Sequence, residues 1–363
     1  MKTSTPITTV ATTDIADLLN PSPLGRRMPM AGFDEEFVDI ADYIIRITDR
    51  IWHEKKIDLC LRYYSEDSVI HTLTGDIVGA KTVEANTHAT LKAFPDRTLD
   101  GDNVIWSGDD REGYYSSHLI TSRMTNLGAS DFGPATGKRV RIRTIADCLC
   151  LKNKIIEEWL VRDNAALVLQ LGFDLTKTAR SQASADRDGS RNLIAALAQW
   201  RDDCGRDAAR PISGSALPSP EREPAAFAEA VFGSIWNGRR VELLPAAFDF
   251  RVGAHLTAGR DLYGTVEYRE YIEQVVTAIP DLKVRVDHVA DIPYLADARD
   301  IAVRWSLSGT HQGDGAFGPA SGAPIYIMGV THWRVVNGRI REEWTVFDEL
   351  AVLRQIETQR LNE

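Results

Sequence analysis

Two kinds of hydrophobic spacing follow one another along the chain. From Asp34 to Ile51, apolar residues recur every three to four positions, which predicts an amphipathic helix. Two shorter helices are predicted over 57–64 and 82–94, and Pro95 ends the second. After Pro95, β-branched and aromatic runs separated by turn residues predict strands. These strands are expected at 104–106, 114–124, 140–151 and 155–161, and another helix is expected from Asp163.

The second half of the chain repeats this order of helices followed by strands. Helices are predicted over 225–237 and 265–279, with a strand between them that ends at His255. Helices first and an antiparallel sheet afterwards are typical of an α+β unit. Asn337-Gly338 predicts a tight type I′ hairpin, matched in the first half by Lys152-Asn153-Lys154. The other elements are strands near 283–290, 300–310, 325–336 and 339–346, and a closing helix from Asp348.

A fixed offset relates the two halves. GPATG at 133–137 returns as GPASG at 318–322, and 318 minus 133 is 185. IIEEWLVRDNAALVLQ at 155–170 returns at the same offset as IREEWTVFDELAVLRQ at 340–355. Two copies of one unit predict two tandem domains.

The repeat sets the predicted domain boundaries. The first domain spans 33–175 and the second spans 223–363, with a linker of one helix at 176–222. An N-terminal arm at 1–32 contains Pro21-Ser22-Pro23, and we expect it to pack poorly or to cross a neighbouring surface as a strap.

Composition and charge limit the partners and the cellular location that the protein is expected to have. The net charge of −10 and the pI near 5.4 argue against a nucleic-acid partner, because binding to phosphates requires clustered Lys and Arg. The N-terminal residues lack the apolar core of a signal peptide, and no run is long enough for a membrane span. We therefore predict a cytoplasmic protein with neither a nucleic-acid nor a membrane partner. None of the four cysteines, Cys60, Cys148, Cys150 and Cys204, has a metal-binding spacing. Cys148 and Cys150 lie two apart in an apolar run and are expected to be reduced core thiols.

As a set, the motifs of both copies resemble those of one protein family. Each copy resembles the SnoaL-like polyketide cyclases and ester cyclases of the nuclear-transport-factor-two-like superfamily. In the second copy the matching features are His255, Gly264, Pro280-Asp281, RWSLSGTHQG (304–313), FGPASG (317–322) and THWRVVNGRIREEWTVFDELAVLRQ (331–355). In the first copy they are His71, Gly79, Phe94-Pro95-Asp96, FGPATG (132–137) and IIEEWLVRDNAALVLQ (155–170).

The resemblance implies an architecture and a range of activities. It implies two tandem cone-shaped α+β domains, each a curved antiparallel sheet wrapped around helices as an α+β barrel with an apolar pocket. Family members include cyclases, isomerases, lyases and hydrolases that use no cofactor, and also plain binding modules. The two copies are expected to pair sheet against sheet as a pseudo-dimer within the chain, and a homodimer of two chains stays open.

Several histidines are candidates for acid–base chemistry. Proton transfer beside a carbonyl group requires a base, a donor for the developing enolate and a dry pocket, and histidine suits both roles. The resemblance places His255 and His71 at the strand-end position of the family, and His311 where members often carry a histidine. A structural histidine bonded to backbone is the alternative at these positions.

His332 is a candidate whose direction depends on strand register. Simple pairing around Asn337-Gly338 places His332 opposite Glu343 on an outward polar face, with Trp333 and Trp344 on the other face. A β-bulge would reverse these faces. The resemblance implies a pocket histidine at this position, so His332 is retained as a candidate catalytic residue.

Two aspartates and one further histidine complete the catalytic candidates. Asp163 and Asp348 open the closing helices, where each is a helix N-cap by position, while the resemblance implies a catalytic aspartate nearby. His118 shares an apolar strand face with Ile120 and Met124, and it is either a pocket base or a satisfied core residue.

The candidate substrate-binding residues are three tryptophans and an arginine. Trp159 and Trp344 offer flat apolar surface, as does Trp305, and Arg304 could hold a carboxylate. No metal-ligand or nucleotide-binding spacing is present in the sequence, so neither a metal nor a cofactor is expected.

Two functional hypotheses follow from the sequence. The first is a cofactor-free acid–base enzyme that acts on a small hydrophobic carbonyl compound by cyclisation, isomerisation, dehydration or hydrolysis. The alternative is a non-catalytic protein that binds small molecules in two apolar pockets.

Overall fold

The computed structural model describes residues 7–20, 25–185 and 191–362. Pro21-Ser22-Pro23 of the predicted arm, together with residues 1–6, lies outside the described residues. The chain divides into two compact units, each built on a six-stranded sheet. Domain 1 comprises Met1–Thr72, Asp76–Arg162 and Ala290–Tyr294, and domain 2 comprises Leu73–Gly75, Asp163–Val289 and Leu295–Glu363.

Domain 1 runs from short N-terminal helices into a sheet with the strand order β2-β1-β6-β5-β4-β3. A single 3₁₀ turn, Val10–Thr12, precedes these elements. The helices are α1 (Ile15–Leu19), α2 (Ile40–Trp52), α3 (Leu59–Tyr63) and α4 (Ala80–Ala93). The strands are β1 (Tyr64–His71), β2 (Ile77–Val78), β3 (Thr98–Asp109), β4 (Gly113–Thr125), β5 (Arg139–Leu151) and β6 (Lys154–Arg162).

The segment that follows β6 is helical. It carries α5 (Asn164–Leu171), α6 (Leu175–Ala185) and α7 (Arg191–Arg206). The described residues of the predicted linker therefore contain two helices, α6 and α7, where the sequence pattern indicated one.

Domain 2 repeats the order of domain 1, with the strand order β8-β7-β12-β11-β10-β9. Its helices are α8 (Pro224–Val231), which continues into a π-helical turn at Phe232–Asn237, then α9 (Leu244–Ala247), α10 (Gly264–Ala278) and α11 (Glu349–Asn362). Short 3₁₀ turns are found at Val241–Leu243 and Thr257–Gly259. The strands are β7 (Phe248–His255), β8 (Asp261–Tyr263), β9 (Lys283–Pro293), β10 (Arg299–Thr310), β11 (Pro324–Val336) and β12 (Arg339–Phe347).

The strand pairing confirms the α+β class and corrects two details. Strand β1 pairs with β6 in parallel, and β7 pairs with β12 in parallel. The pairs β1–β2, β3–β4, β4–β5, β5–β6, β7–β8, β10–β11 and β11–β12 are antiparallel. Each sheet is therefore mixed instead of purely antiparallel. The two edge strands of each sheet do not pair with each other, so the predicted barrel is an open sheet.

The predicted hairpins are confirmed. Asn337 and Gly338 have φ of 51° and 76°, and Lys152 and Asn153 have φ of 48° and 68°, the left-handed pair that a type I′ turn requires. In the second hairpin, Arg334 pairs with Glu342 but Val335 pairs with Ile340, so one extra residue forms a β-bulge. The bulge decides which side chains face the interior of domain 2.

The core of domain 1 forms around α2. Asp39 caps this helix by accepting a hydrogen bond from Asp42 N at 2.9 Å, and the helix buries an aliphatic face against the sheet. The described part of the arm packs into the same core through Val10, Leu18 and Met30, which contradicts the first of the two expectations for the arm, poor packing.

All four cysteines are free and buried, which confirms the prediction made for Cys148 and Cys150. Within the described ranges, no helix has the length and apolar character to cross a membrane.

Candidate functional site

Domain 2 contains a cavity of about 560 Å³, a volume that includes its open mouth. The cavity lies between the inner sheet face and the helical side, to which α10 and the π-helical turn contribute. Concave apolar sites with a few polar groups are the usual binding places for small organic molecules. The lining residues are mostly aromatic or aliphatic: Phe232, Trp236, Leu256, Tyr268, Tyr271, Val275, Val284, Trp305, Leu307, Phe317, Ile327, Thr331, Trp333, Glu343, Thr345 and Phe347.

Flat rings form the walls of the cavity. The ring of Phe232 stacks on Trp333 with centroids 5.6 Å apart, and it lies 6.0 Å from Trp305. Trp305 in turn covers Gly329, where a Cβ would lie 2.3 Å from the indole carbon Cζ2. The absence of a side chain at Gly329 therefore makes room for the indole of Trp305.

Glu343 is the one carboxylate among the lining residues of this apolar cavity. Its side chain is 2% exposed. One carboxylate oxygen accepts hydrogen bonds from the hydroxyl of Tyr268 at 2.9 Å and from Trp333 Nε1 at 2.9 Å. The other accepts from Thr345 Oγ1 at 2.7 Å. The polar group of the pocket is thus held in one orientation by three donors.

A directed chain of hydrogen bonds leads to Glu343. Trp305 Nε1 can only donate, and it donates to Thr331 Oγ1 at 2.9 Å. Thr331 and Thr345 hydroxyls lie 2.8 Å apart, and Thr345 donates to the carboxylate. Since each hydroxyl has one proton, Thr331 must donate to Thr345. Every proton of this chain therefore points towards Glu343.

Burial dominates the electrostatics of the cavity. Desolvation raises the pKa of Glu343 above its ordinary value, and the bonds from Thr345, Trp333 and Tyr268 partly oppose this effect. Burial also raises the pKa of Tyr271, with a smaller contribution from nearby acidic charge. Tyr271 consequently stays protonated and can donate a hydrogen bond inside the cavity.

The register around the bulge leaves the predicted faces of β11 unchanged and reverses those of β12. Trp333 pairs with Glu343 and His332 pairs with Trp344, so the simple pairing of His332 with Glu343 was wrong. The extra residue, Arg341, shifts the alternation by one position. Glu343 therefore faces the cavity, and His332, 1% exposed, lies on the opposite face of the sheet beside Trp344.

His255 and His71 form matching clusters on the sheet face away from the cavity. His255 Nδ1 lies 2.7 Å from Asp261 Oδ1, and its ring stacks on Trp344 at 5.8 Å. His71 Nδ1 lies 2.9 Å from Asp76 Oδ1, and its ring stacks on Trp159 at 5.4 Å.

The other two candidate histidines are buried in different domains. His311 lies in domain 2, where its Nδ1 is 2.9 Å from Ser321 Oγ. Its ring is 6.4 Å from Phe317, a lining residue, and burial lowers its pKa. His118 lies on the interior face of the domain 1 sheet, and burial lowers its pKa to about 3.

Both candidate aspartates make helix-capping hydrogen bonds. Asp163 accepts from Ala166 N at 3.0 Å at the start of α5, and Asp348 accepts from Ala351 N at 3.1 Å at the start of α11. Asp163 also accepts from Ala258 N at 2.9 Å, and burial raises its pKa. Neither residue lines the cavity.

Among the candidate substrate-binding residues, Trp305 lines the cavity. Trp344 and Trp159 stack on the histidine clusters of the other sheet face. Arg304 precedes Trp305 on β10, so alternation directs it to the face opposite the cavity.

Sequence reasoning missed Glu343, Tyr268, Tyr271 and Trp333 as a group. The signal was the EEW motif, which both copies carry at an offset of 185. Its counterpart in domain 1, Glu158, is also buried, with a pKa raised by burial, and accepts a hydrogen bond from Tyr64 at 3.0 Å. A carboxylate kept at one buried position in both copies indicates an interior role that outward alternation concealed.

Fold and site together define a class of protein. A mixed six-stranded sheet and its helices enclose an aromatic pocket with one buried carboxylate, as in small-molecule-binding α+β domains. The sequence model of the SnoaL-like polyketide cyclases matches residues 43–171 and again 228–356. The chain therefore belongs to the SnoaL-like polyketide cyclase family, with two tandem copies of the family domain.

Comparison with characterised proteins adds little beyond the family. None of the curated proteins matches the chain. Among solved structures, a candidate SnoaL-like polyketide cyclase from Jannaschia sp. CCS1 is 19% identical, covers 35% of this chain and 86% of its own, and has a TM-score of 0.32. IdmH, a candidate polyketide cyclase from Streptomyces antibioticus, is 21% identical over 37% of this chain and 99% of its own, with a TM-score of 0.31. AclR, a candidate hydroxylase from Streptomyces galilaeus, is 21% identical over 37% and 98%, with a TM-score of 0.32. At these values the structural likenesses carry no argument about activity.

Proposed function

We propose that domain 2 is an acid–base enzyme, independent of any cofactor, for a flat hydrophobic carbonyl compound. The observation that carries this proposal is Glu343, a carboxylate with a raised pKa in an aromatic cavity. General bases are most effective when their pKa lies near the working pH, and burial moves a glutamate in that direction.

Glu343 is assigned the role of the base. Its carboxylate takes a proton from the carbon next to the substrate carbonyl, which leaves an enolate. The three donors to Glu343 orient the carboxylate before the substrate binds. Because the surrounding walls are apolar, the developing charge is not screened by bulk water.

Tyr271 is assigned the role of the enolate donor. Tyr271 and Tyr268 are three residues apart on α10, so they share one face of the helix. While Tyr268 bonds to Glu343, Tyr271 lines the same cavity in its protonated form. A phenol hydroxyl at this place would stabilise the enolate oxygen.

The shape of the cavity suggests the class of substrate. The stacked rings of Phe232 and Trp333 and the apolar lining around them favour a planar hydrophobic ligand. Once the enolate forms, reprotonation at another carbon gives isomerisation, attack on an electrophilic carbon gives cyclisation, and loss of a β-hydroxyl group gives dehydration. Free buried thiols suit a reducing compartment, so we also propose a cytoplasmic location.

Proton exchange in a probe ketone tests the proposal. β-Tetralone is a bicyclic ketone with acidic hydrogens beside its carbonyl, and their exchange with deuterium can be followed by NMR. The wild-type protein should accelerate the exchange, and Glu343→Gln should lower the enzymatic rate about 100-fold or more. Since Glu343 must be ionised to act as a base, the wild-type rate should rise with pH through its raised pKa and then level off.

Glu158→Gln provides the matched control. Glu158 is the counterpart of Glu343 in domain 1, and its replacement should leave the β-tetralone rate unchanged within about twofold. Equal losses in both variants, or an unchanged rate in Glu343→Gln, would contradict the assignment of the base to domain 2.

One observation favours a carrier as the second candidate function. Both oxygens of Glu343 already accept hydrogen bonds from protein donors. This arrangement is expected of a carboxylate that holds the pocket wall in place and takes no proton from a ligand. A carrier would bind β-tetralone with the same affinity in wild type and Glu343→Gln and would not accelerate exchange. Binding without any acceleration of exchange would therefore favour the carrier over the enzyme.

A further inference from the structure

The interior face of the domain 1 sheet differs in chemistry from its counterpart in domain 2. Ser122 and Arg162 occupy the positions that correspond, at an offset of 185, to Leu307 and Phe347 of the cavity lining. Strand alternation places both residues on the same face as the buried Glu158. Domain 1 therefore presents polar and cationic groups where domain 2 presents apolar walls.

Arg97 brings a second cationic side chain into this interior. It is 5% exposed, donates from Nε to Ser122 Oγ at 3.0 Å, and lies 4.8 Å from the ring centroid of Trp52. Trp52 is the counterpart of Trp236, a lining residue of the domain 2 cavity, at an offset of 184. The Arg97 side chain thus contacts two positions whose counterparts line the cavity of domain 2.

The charge of Arg97 lacks an acidic partner. Among the described residues, no carboxylate forms an ion pair with it. Burial, together with the nearby charge of Arg162, lowers the pKa of Arg97 to about 9. A buried cation without a counter-ion is costly, and a bound anion removes this cost.

Two further polar groups on the same face have no partner. Thr144, 3% exposed, lies between Ile120 and Arg162 in the strand register, and its hydroxyl has no hydrogen-bond partner within the described residues. His118 lies two residues before Ile120 on β4, so the two side chains share a face, and it is 2% exposed. Its Nε2 atom likewise has no hydrogen-bond partner in the described part of the chain. These groups and the free end of the Arg97 guanidinium are available to a polar ligand.

We propose that the interior of domain 1 binds the carboxylate group of a small organic acid. The planar guanidinium of Arg97 donates two parallel hydrogen bonds to the two carboxylate oxygens, a geometry that neutral ligands cannot match. Trp52 covers the guanidinium from one side, and the Thr144 hydroxyl completes the polar wall. This site is independent of the chemistry proposed for domain 2.

Benzoate and benzamide are the probes for this site. They have the same shape, but benzoate alone carries the carboxylate charge. At constant ionic strength and millimolar concentration, benzoate should raise the Tm of the wild-type protein by about 2–4 °C, while benzamide and inorganic phosphate should not. Equal shifts from benzoate and benzamide, an equal shift from phosphate, or no shift from benzoate would overturn the proposal.

Arg97→Met and its counterpart Leu282→Met form a matched pair of variants. Position 282 corresponds to position 97 at the offset of 185. Arg97→Met should abolish the benzoate shift, and Leu282→Met should retain it. A benzoate shift that persists in Arg97→Met would place the ligand elsewhere.

Two more measurements separate ligand binding from a structural role of Arg97. Without ligand, Arg97→Met should melt at the same temperature as wild type or higher, because an unpaired buried charge is removed. A clear fall in Tm would show that Arg97 supports the fold and would count against the proposal. If Arg97→Met does not fold, Thr144→Val replaces it and should weaken the benzoate shift at least twofold, whereas an unchanged shift would contradict the site.

Discussion

Burial, more than neighbouring charge, sets the protonation of the interior side chains. Desolvation raises the pKa of Glu343 and Glu158 and lowers that of His118 to about 3. At neutral pH His118 is therefore an uncharged imidazole, so the positive charge of this interior comes from Arg97 and Arg162.

His118 should make domain 1 sensitive to acid. The pKa of His118 is lower in the folded protein than in the unfolded chain, so the unfolded chain takes up a proton first as the pH falls. Relative to His118→Val, which copies Val303 of domain 2, wild type should lose about 1.4 kcal/mol of unfolding free energy for each pH unit below 6.5. Above that pH the difference should stay constant. Denaturant unfolding from pH 8 to pH 4 measures both slopes, and a difference independent of pH would contradict a buried neutral His118.

At the scale of single elements, hairpin β11–β12 positions the candidate base. Its turn could be predicted from Asn337-Gly338 because only a left-handed residue pair fits a two-residue hairpin. The bulge at Arg341 could not, since nothing in the local sequence separates a regular strand from a bulged one. That single extra residue reverses the predicted faces of the β12 residues that follow it.

Gly329 on β11 should be required for the position of Trp305. Gly329→Ala places a methyl group against the indole, which should cost about 1–3 kcal/mol of stability and weaken β-tetralone binding. Domain 1 has Thr144 and Ile120 at the two corresponding positions. Adding Trp305→Ile should therefore restore much of the stability, and a double-mutant cycle by thermal melting measures the coupling. Strictly additive effects would mean that the two residues do not interact.

At the scale of the whole chain, one fold carries two different interiors. Trp333 in domain 2 corresponds to Cys148 in domain 1, and Phe347 corresponds to Arg162. Sheet order and strand pairing are the same in both copies, since they depend on alternation and turns that the repeat preserves. The side chains that face inward differ between the two copies, which is the basis for proposing a different ligand for each domain.

An apolar ligand should depend on domain 2 alone. Trp333→Leu removes a stacking partner of Phe232 and a donor to Glu343, and should weaken β-tetralone binding at least about tenfold. Cys148→Ala at the corresponding position should change the affinity less than about twofold. Calorimetric titration of the full chain compares the two variants. Similar losses in both would show that the interiors are not specialised in this way.

The sequence by itself determined the two copies, the α+β order of elements, the type I′ hairpins and the family. These features follow from local spacing, turn chemistry and a repeat at a fixed offset, all of which are properties of neighbouring residues. Placement of the catalytic candidates depended on tertiary structure. Strand alternation turns His255 away from the cavity of domain 2 and His71 away from the interior of domain 1, and Asp348 makes the N-cap hydrogen bond that its position allowed.

Tertiary packing likewise decided which polar side chains are buried. Glu343 and Arg97 are charged residues that patterning assigns to the surface, and no local rule predicts their burial. They are buried because a one-residue bulge turns Glu343 inward and because Arg97 lies against Trp52 and Ser122 across the fold. Contacts between residues far apart in the sequence create the environment that shifts the pKa of each group, and local sequence patterns do not predict those contacts.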